Sequence, residues 1–103
     1  MEKAYLFKIK AGKSSTWEAW CNELASALKN EAIETLKEEK VQQELSLSFS
    51  LNGEGYVIGF MDGECLPANM NREINQQHKK MREECLERVG DVGILYNIRN
   101  DQP

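Results

Sequence analysis

Apolar and polar residues alternate along the chain with two different periods, and the order of these periods predicts the secondary structure. Residues 4–10 alternate with a period of two, which is typical of a strand, and residues 41–51 do the same. Between them, apolar residues recur at helical spacing from Trp17 to Leu28. The stripe drifts after Asn30, which predicts that the helix either kinks there or restarts as a second segment.

The second half of the chain repeats the order strand, helix, strand. The Asn-Gly dipeptide at 52–53 favours the left-handed backbone of a tight hairpin turn, and the apolar run 56–61 predicts the strand that follows. Asn69 is expected to cap a helix that runs to about Val89. A last strand is predicted over residues 92–98, where apolar residues fill both alternating sets.

The resulting order, βαββαβ, predicts an α+β protein with a ferredoxin-like fold. Short, right-handed connections close such a chain into a four-stranded antiparallel sheet of order 4-1-3-2, with the helices on one face. A chain of 103 residues forms a single domain, 1–103, with one hydrophobic core.

The face of the sheet that the helices leave uncovered is expected to be apolar. It would expose Leu6, Val57, Met61 and one alternating set from the last strand. Removing a few hundred Å² of apolar surface from water contributes several kcal/mol, at about 25 cal/mol per Å². The sequence therefore predicts a homodimer in which a second copy, related by a two-fold axis, covers this open face.

The charge of the chain argues against nucleic acid as a partner. Thirteen basic and seventeen acidic residues give a formal net charge of −4, which repels phosphate backbones. The apolar N-terminal stretch is interrupted by Lys8 and Lys10, which fits neither a signal peptide nor a membrane span. We therefore expect a cytoplasmic protein without a membrane partner.

The cysteines indicate neither a disulfide framework nor a zinc site. Cys21, Cys65 and Cys85 are odd in number and lack Cys-x-x-Cys spacing, which favours reduced, buried thiols. The glycines at 53, 55 and 59 lie in a hairpin with no helix after them, so they form no phosphate-binding loop. No cofactor and no metal are predicted.

His78 is the strongest candidate for chemistry. It lies at the margin of the apolar stripe of the last helix, and Asn71 and Arg82 flank the same edge. In a cleft between helix and sheet, His78 would act as a general base or form a hydrogen bond with a ligand, with Asn71 and Arg82 orienting a polar or anionic substrate. The structural alternative is a partly buried histidine whose hydrogen bonds are satisfied within the protein.

Three aromatic residues are candidates for ligand contacts. Trp17 and Trp20 would line a flat aromatic pocket, or else belong to the core. Tyr56 offers a hydroxyl to a ligand, although buried tyrosines commonly bond to the backbone instead.

Four segments carry a resemblance to a known family: 5–10 (YLFKIK), 17–24 (WEAWCNEL), 56–61 (YVIGFM), and 67–75 (PANMNREIN) followed by His78. Over nearly its full length, the chain resembles a bacterial family of short proteins of unknown function. That family is similar to the dimeric α+β barrel superfamily, which includes antibiotic-biosynthesis-type monooxygenases, rhamnose mutarotase and stress-responsive barrel proteins. The resemblance implies the fold and a dimer, and it transfers no catalytic residue to this chain.

Two classes of function remain. The first is a homodimer that binds a small metabolite in a helix-sheet cleft, as a cofactor-free isomerase, epimerase or monooxygenase. The second is a non-enzymatic module for protein association or regulation. Its docking surface would be the sheet or the polar face of the edge strand, formed by Gln42, Glu44, Ser46, Ser48 and Ser50.

Overall fold

The computed structural model describes residues 1–101 and contains four strands and three helices. In chain order these are β1 (Glu2–Ile9), α1 (Ser14–Leu24), α2 (Lys29–Glu39), β2 (Val41–Leu51), β3 (Glu54–Gly63), α3 (Glu73–Cys85) and β4 (Leu86–Asp91). The strands form one antiparallel sheet of order β2-β3-β1-β4. This is the predicted order 4-1-3-2 read from the other edge, and the α+β, ferredoxin-like fold is confirmed.

The hairpin between β2 and β3 forms where the sequence predicts it. Asn52 and Gly53 both have positive φ, 52° and 77°, as the turn requires. The first helical segment ends at Leu24, and the chain restarts as α2 at Lys29, so the second of the two expected alternatives is correct. A left-handed residue, Lys40, ends α2 and leads directly into β2.

The prediction for the last helix and strand was wrong in its boundaries. Helix α3 ends at Cys85 rather than near Val89, and β4 spans Leu86–Asp91 rather than residues 92–98. The backbone N–H of Lys10 donates to the Cys85 carbonyl at 2.8 Å, and the next residues pair with β1. The strand pairing therefore overrides the helical pattern in this segment.

The start of α3 also differs from the expectation. Asn69 lies in the turn before the helix, where its Oδ1 accepts a hydrogen bond from the Asn71 backbone N–H at 3.0 Å. Arg72 is the N-terminal cap residue, without a side-chain capping bond. Ile74 and Cys85 are buried, as predicted from the stripe, whereas Met70 and Val89 are exposed.

The core lies between the helices and one face of the sheet. Trp17 and Trp20 of α1 pack there with Val57 of β3, Cys85 of α3 and Leu86 of β4. Phe7, Ile9, Cys21, Leu24, Leu28 and Met81 pack around this cluster. The two tryptophans are therefore core residues, which was one of the two expected roles.

The strand register determines which side chains share the helix-covered face. Val57 pairs with Phe7 on one side and with Ser48 on the other, so these three residues point toward the helices. The same alternation places Met61 on this face and Leu6 on the open face. The expectation that Val57 and Met61 lie on the open face was therefore wrong, because both alternating sets of β3 are apolar and the sequence does not fix its orientation.

The open face contains Leu6, as predicted, but its other apolar residues differ from the prediction. Its members follow from the register: Leu6, Leu45, Leu47, Phe49, Leu51, Tyr56, Ile58 and Phe60. Phe49 and Tyr56 stack here with ring centroids 5.1 Å apart. The apolar side chains of β2 thus lie on the open face, and its polar ones lie on the helix side.

Candidate functional site

The structure brings three of the six predicted site residues together where α1 packs against α3. The indole Nε1–H of Trp20 donates a hydrogen bond to Nδ1 of His78 at 2.9 Å. The His78 ring centroid lies 6.2 Å from that of Trp17 and 5.9 Å from that of Trp20. The helical spacing places both tryptophans on the inner face of α1, and the imidazole of α3 closes the cluster.

The hydrogen bond from Trp20 determines which His78 nitrogen carries the proton. Indole is only a donor, so Nδ1 must accept, and the proton of the neutral imidazole is on Nε2. Within residues 1–101, no buried side-chain nitrogen or oxygen lacks a hydrogen-bond partner. Since Nε2 has no hydrogen bond to any described residue, it must be in contact with solvent, where a ligand oxygen can accept from it.

The surroundings of His78 keep its ring neutral. Burial disfavours the charged imidazolium, the nearby positive charge of Arg82 adds to this effect, and together they lower the pKa of His78 to about 4. At neutral pH the side chain is therefore an uncharged hydrogen-bond donor, and its only free nitrogen carries a proton. This geometry favours ligand hydrogen bonding over general-base catalysis among the two roles expected for His78.

Arg82 follows His78 by one turn of α3 and connects it electrostatically with the sheet. Together with Phe7 and Leu86, Arg82 lines a cavity of about 290 Å³ between α3 and strands β1 and β4. Its positive charge also acts on Glu44, a residue on the helix side of β2. The charge of Arg82 therefore acts on both His78 and Glu44, on the helix-covered side of the sheet.

Glu44 is the site residue that the sequence analysis did not single out. Desolvation by the surrounding protein raises the pKa of the Glu44 carboxyl, although the side chain keeps contact with solvent, and the charge of Arg82 opposes this increase. The alternation along β2 places Glu44 on the polar face of the strand. Only the pairing with β3 shows that this face is on the same side as α3.

Two predicted site residues lie elsewhere. Tyr56 is on the open face, where its hydroxyl donates to Glu54 at 3.2 Å, so the sheet separates it from His78. Asn71 lies in the exposed turn before α3. Its described hydrogen bond joins it to Asn69 and not to the cluster.

A second opening gives access to the tryptophan cluster from outside. A groove of about 440 Å³ runs between α1 and α3, and Trp20, Gln77 and Met81 are among its lining residues.

Among residues 1–101, no three His, Cys, Asp or Glu side chains are grouped so that they could hold a metal ion. No helix in this part of the chain is long and apolar enough to cross a membrane.

The strand order and the helix layer define a ferredoxin-like α+β protein with a cavity between α3 and strands β1 and β4 on the helix-covered side of its sheet. A solved structure with a similar fold is L-rhamnose mutarotase from Formosa agariphila, which is 13% identical in sequence. The similarity covers 96% of this chain and 99% of that one, with a TM-score of 0.60. The chain itself belongs to DUF6176, a family of unknown function whose profile matches residues 3–96. None of the curated proteins compared with it matches.

Proposed function

We propose that the protein is a cytoplasmic homodimer that binds a small, hydroxyl-bearing metabolite in the cleft between α3 and the sheet, and that it acts as a cofactor-free isomerase. The observation that carries the proposal is the neutral His78, held by Trp20, with its Nε2–H available to a ligand. Two groups of opposite charge support it: Arg82 lines the cavity beside α3, and Glu44 of β2, on the same side of the sheet, lies within the electrostatic reach of Arg82.

The proposed chemistry needs only proton transfer. In the interconversion of sugar anomers, a proton leaves the anomeric hydroxyl and another is delivered to the ring oxygen, the ring opens, and the reverse transfers close it. In this scheme the Glu44 carboxylate, with its raised pKa, accepts the proton of the anomeric hydroxyl, solvent water delivers the other proton to the ring oxygen, and His78 donates a hydrogen bond to a substrate oxygen. The fold that this chain shares with a rhamnose mutarotase supports a sugar as the first substrate to test.

Nuclear magnetic resonance tests binding and turnover in one sample. L-rhamnose and other monosaccharides are titrated into the protein while the Trp20 indole N–H signal is followed, and exchange spectroscopy measures the rate at which the anomers interconvert. We expect the Trp20 signal to shift and the anomers to exchange faster than in buffer. An unshifted signal together with an unchanged exchange rate, across the sugar panel, would contradict the proposal.

Two variants separate the roles of the residues. Glu44→Gln should lower the rate by about 100-fold, the usual contribution of one proton-transfer group, and leave the sugar-induced shift of Trp20 in place. Ser50→Ala, on the same strand and face, is the control and should leave both unchanged. Equal rates in Glu44→Gln and Ser50→Ala would remove Glu44 from the proposal.

The dimer in this proposal is supported by the area that one protomer exposes. A folded monomer of 11.8 kDa usually exposes about 5,900 Å² of accessible surface, whereas this chain exposes 7423 Å². The excess, about 1,500 Å² per chain, is of the size that each partner buries in an obligate homodimer. Packing two open faces together would also remove the exposed apolar side chains of β2 from water.

The alternative function, a non-enzymatic association module, is supported by the same open face. Every second side chain of β2 is apolar and exposed there, at Leu45, Leu47, Phe49 and Leu51. The sugar titration distinguishes the two functions, because an association module would dimerise or bind a protein partner without any response at Trp20.

A further inference from the structure

The cavity between α3 and strands β1 and β4 is positively charged, although the chain as a whole is acidic. The chain has thirteen basic and seventeen acidic residues, whereas the cavity wall has three cations and one carboxylate. The residues that line it are Phe7, Lys79, Arg82, Glu83, Leu86 and Arg88. Because a recess lined mainly by one sign of charge concentrates its field, this cavity attracts anions.

Two of the three cations are already paired with carboxylates of the protein. Lys79 Nζ lies 3.8 Å from Oε1 of Glu83, one turn further along α3. The Arg88 guanidinium forms an ion pair with Asp91, and its carbon atom lies 4.7 Å from the centroid of the Tyr5 ring. The charges of Lys79 and Arg88 are therefore balanced within the chain.

Arg82 is the cation of the cavity whose charge is not balanced by a close partner. Among residues 1–101, its guanidinium donates no hydrogen bond and has no carboxylate within ion-pair distance, whereas Lys79 and Arg88 each have one. A guanidinium presents its N–H donors in a planar fork that matches the two oxygens of a carboxylate. The cavity thus offers one unpaired positive charge with a geometry suited to a carboxylate.

The rest of the cavity wall is apolar and its size fits one small molecule. Phe7 of β1 pairs in register with Arg88 of β4, so an aromatic ring and a guanidinium are neighbours on the helix-covered face. Leu86 adds a buried aliphatic side chain. The volume of about 290 Å³ is at the lower end for ligand cavities, which begin at about 300 Å³. An aromatic ring packs well against the C–H face of a sugar, and the charge beside it selects the substituent.

We propose that this cavity binds a sugar acid, a monosaccharide with a single carboxylate, and that Arg82 receives the carboxylate. This rests on the proposed function and adds the charge of the substrate. One carboxylate balances the one unpaired cation, whereas a neutral sugar leaves Arg82 without a partner. A phosphate ester, with a charge of about −1.5 to −2 at neutral pH, exceeds the positive charge that is free.

Calorimetric titration with matched sugars tests the proposal. D-galacturonate and D-galactose differ only in a carboxylate and a hydroxymethyl group, and D-glucuronate and D-glucose form a second such pair. In at least one pair the acid should bind at least about tenfold more tightly, as expected for a hydrogen-bonded ion pair. The 6-phosphate of the same sugar should bind more weakly than the acid. Equal affinities within both pairs, tighter binding of the phosphate, or no binding by either acid would overturn the proposal.

Two variants of α3 test whether Arg82 is responsible. Arg82→Gln should reduce the preference for the acid to less than about threefold, because it removes the unpaired charge. Lys80→Gln is the matched control, since it removes one positive charge from the same helix at an exposed position outside the cavity wall. It should keep the preference. Equal preferences in the two variants would exclude Arg82 as the carboxylate receptor.

The rate of anomer exchange, measured with the same sugars, separates this inference from the proposed function. An acid that binds through Arg82 without faster exchange of its anomers would support the inference and contradict the isomerase activity. Neutral sugars that bind as tightly as the acids, and whose anomers exchange faster than in buffer, would contradict the inference and leave the proposed function standing.

Discussion

The two faces of the sheet carry similar apolar residues, but one face is buried and the other is exposed. On the helix-covered face, Val57 is 2% exposed because α1, α3 and β4 pack around it. On the open face, Leu47 and Phe49 remain 49% and 41% exposed. The same hairpin supplies all three residues, so their hydrophobicity does not distinguish the two faces.

The difference lies in the second layer that each face receives. A sheet needs a packed layer against any apolar face, and the three helices of one chain provide one layer on one side only. The chemistry is also divided, since His78, Arg82 and Glu44 share the helix side and Tyr56 is on the other. The proposed function therefore places the ligand cleft on the covered face and the subunit contact on the open one. Three predictions test this division, and a fourth tests the joint between the helix layer and the sheet.

The largest expected effect is in the core of the covered face. Trp20→Ala should lower the free energy of unfolding by about 3 to 5 kcal/mol, since it leaves a cavity and removes the hydrogen bond to His78. Phe49→Ala, the aromatic counterpart on the open face, should cost about 1 kcal/mol in dilute protein. Urea denaturation measures both, and similar losses would show that the two faces are equally packed.

A titration of the single histidine is the next test. The pKa of His78 is about 4 in the folded protein and about 6.5 when unfolded, so the unfolded chain takes up the proton first as the pH falls. The stability is therefore complete above about pH 6.5 and decreases toward pH 4, by about 3 kcal/mol from this group.

The control for this titration is His78→Gln, which should remove that component of the pH dependence between pH 6.5 and 4. The chain has one histidine, so its ring proton signals report the pKa without overlap. A measured pKa close to 6.5 would mean that the ring is solvated and that the cleft is not as the structure places it.

Two neighbouring residues on β2, Leu47 and Ser48, test whether the open face forms the subunit contact. The expected change in stability is smaller than in the two preceding predictions. If the open face forms the subunit contact, the thermal unfolding midpoint of the wild type rises with protein concentration. Leu47→Ser should weaken the dimer about tenfold and reduce this rise. Ser48→Thr, one position further on and on the helix side, should leave the concentration dependence intact. Equal behaviour of the two variants in calorimetry would argue against a contact through this face.

The smallest expected effect is at the joint where the chain passes from the helix layer into the sheet. Lys40 has a φ of 54°, a left-handed conformation that costs free energy for any residue with a Cβ. Lys40→Gly should therefore stabilise the protein by up to about 1 kcal/mol. Lys37→Gly, within α2, should destabilise it by a similar amount. Thermal unfolding compares the two, and a loss of stability in both would show that Lys40 makes contacts that outweigh its strain.

The periodicity of the sequence determined the order of the elements, the order of the strands, the hairpin at 52–53 and the helix stripe that brings the tryptophans to His78. These features are local or follow from short connections, so the sequence alone specifies them. The tertiary structure decided which set of β3 faces the helices, and with it the positions of Tyr56 and Glu44. Alternation along a strand divides its side chains into two sets, but it does not determine which set faces the core. That is decided when another layer covers one side of the sheet. For the same reason β4 formed at Leu86–Asp91, where β1 offered a partner, and not over residues 92–98, where the sequence pattern predicts a strand.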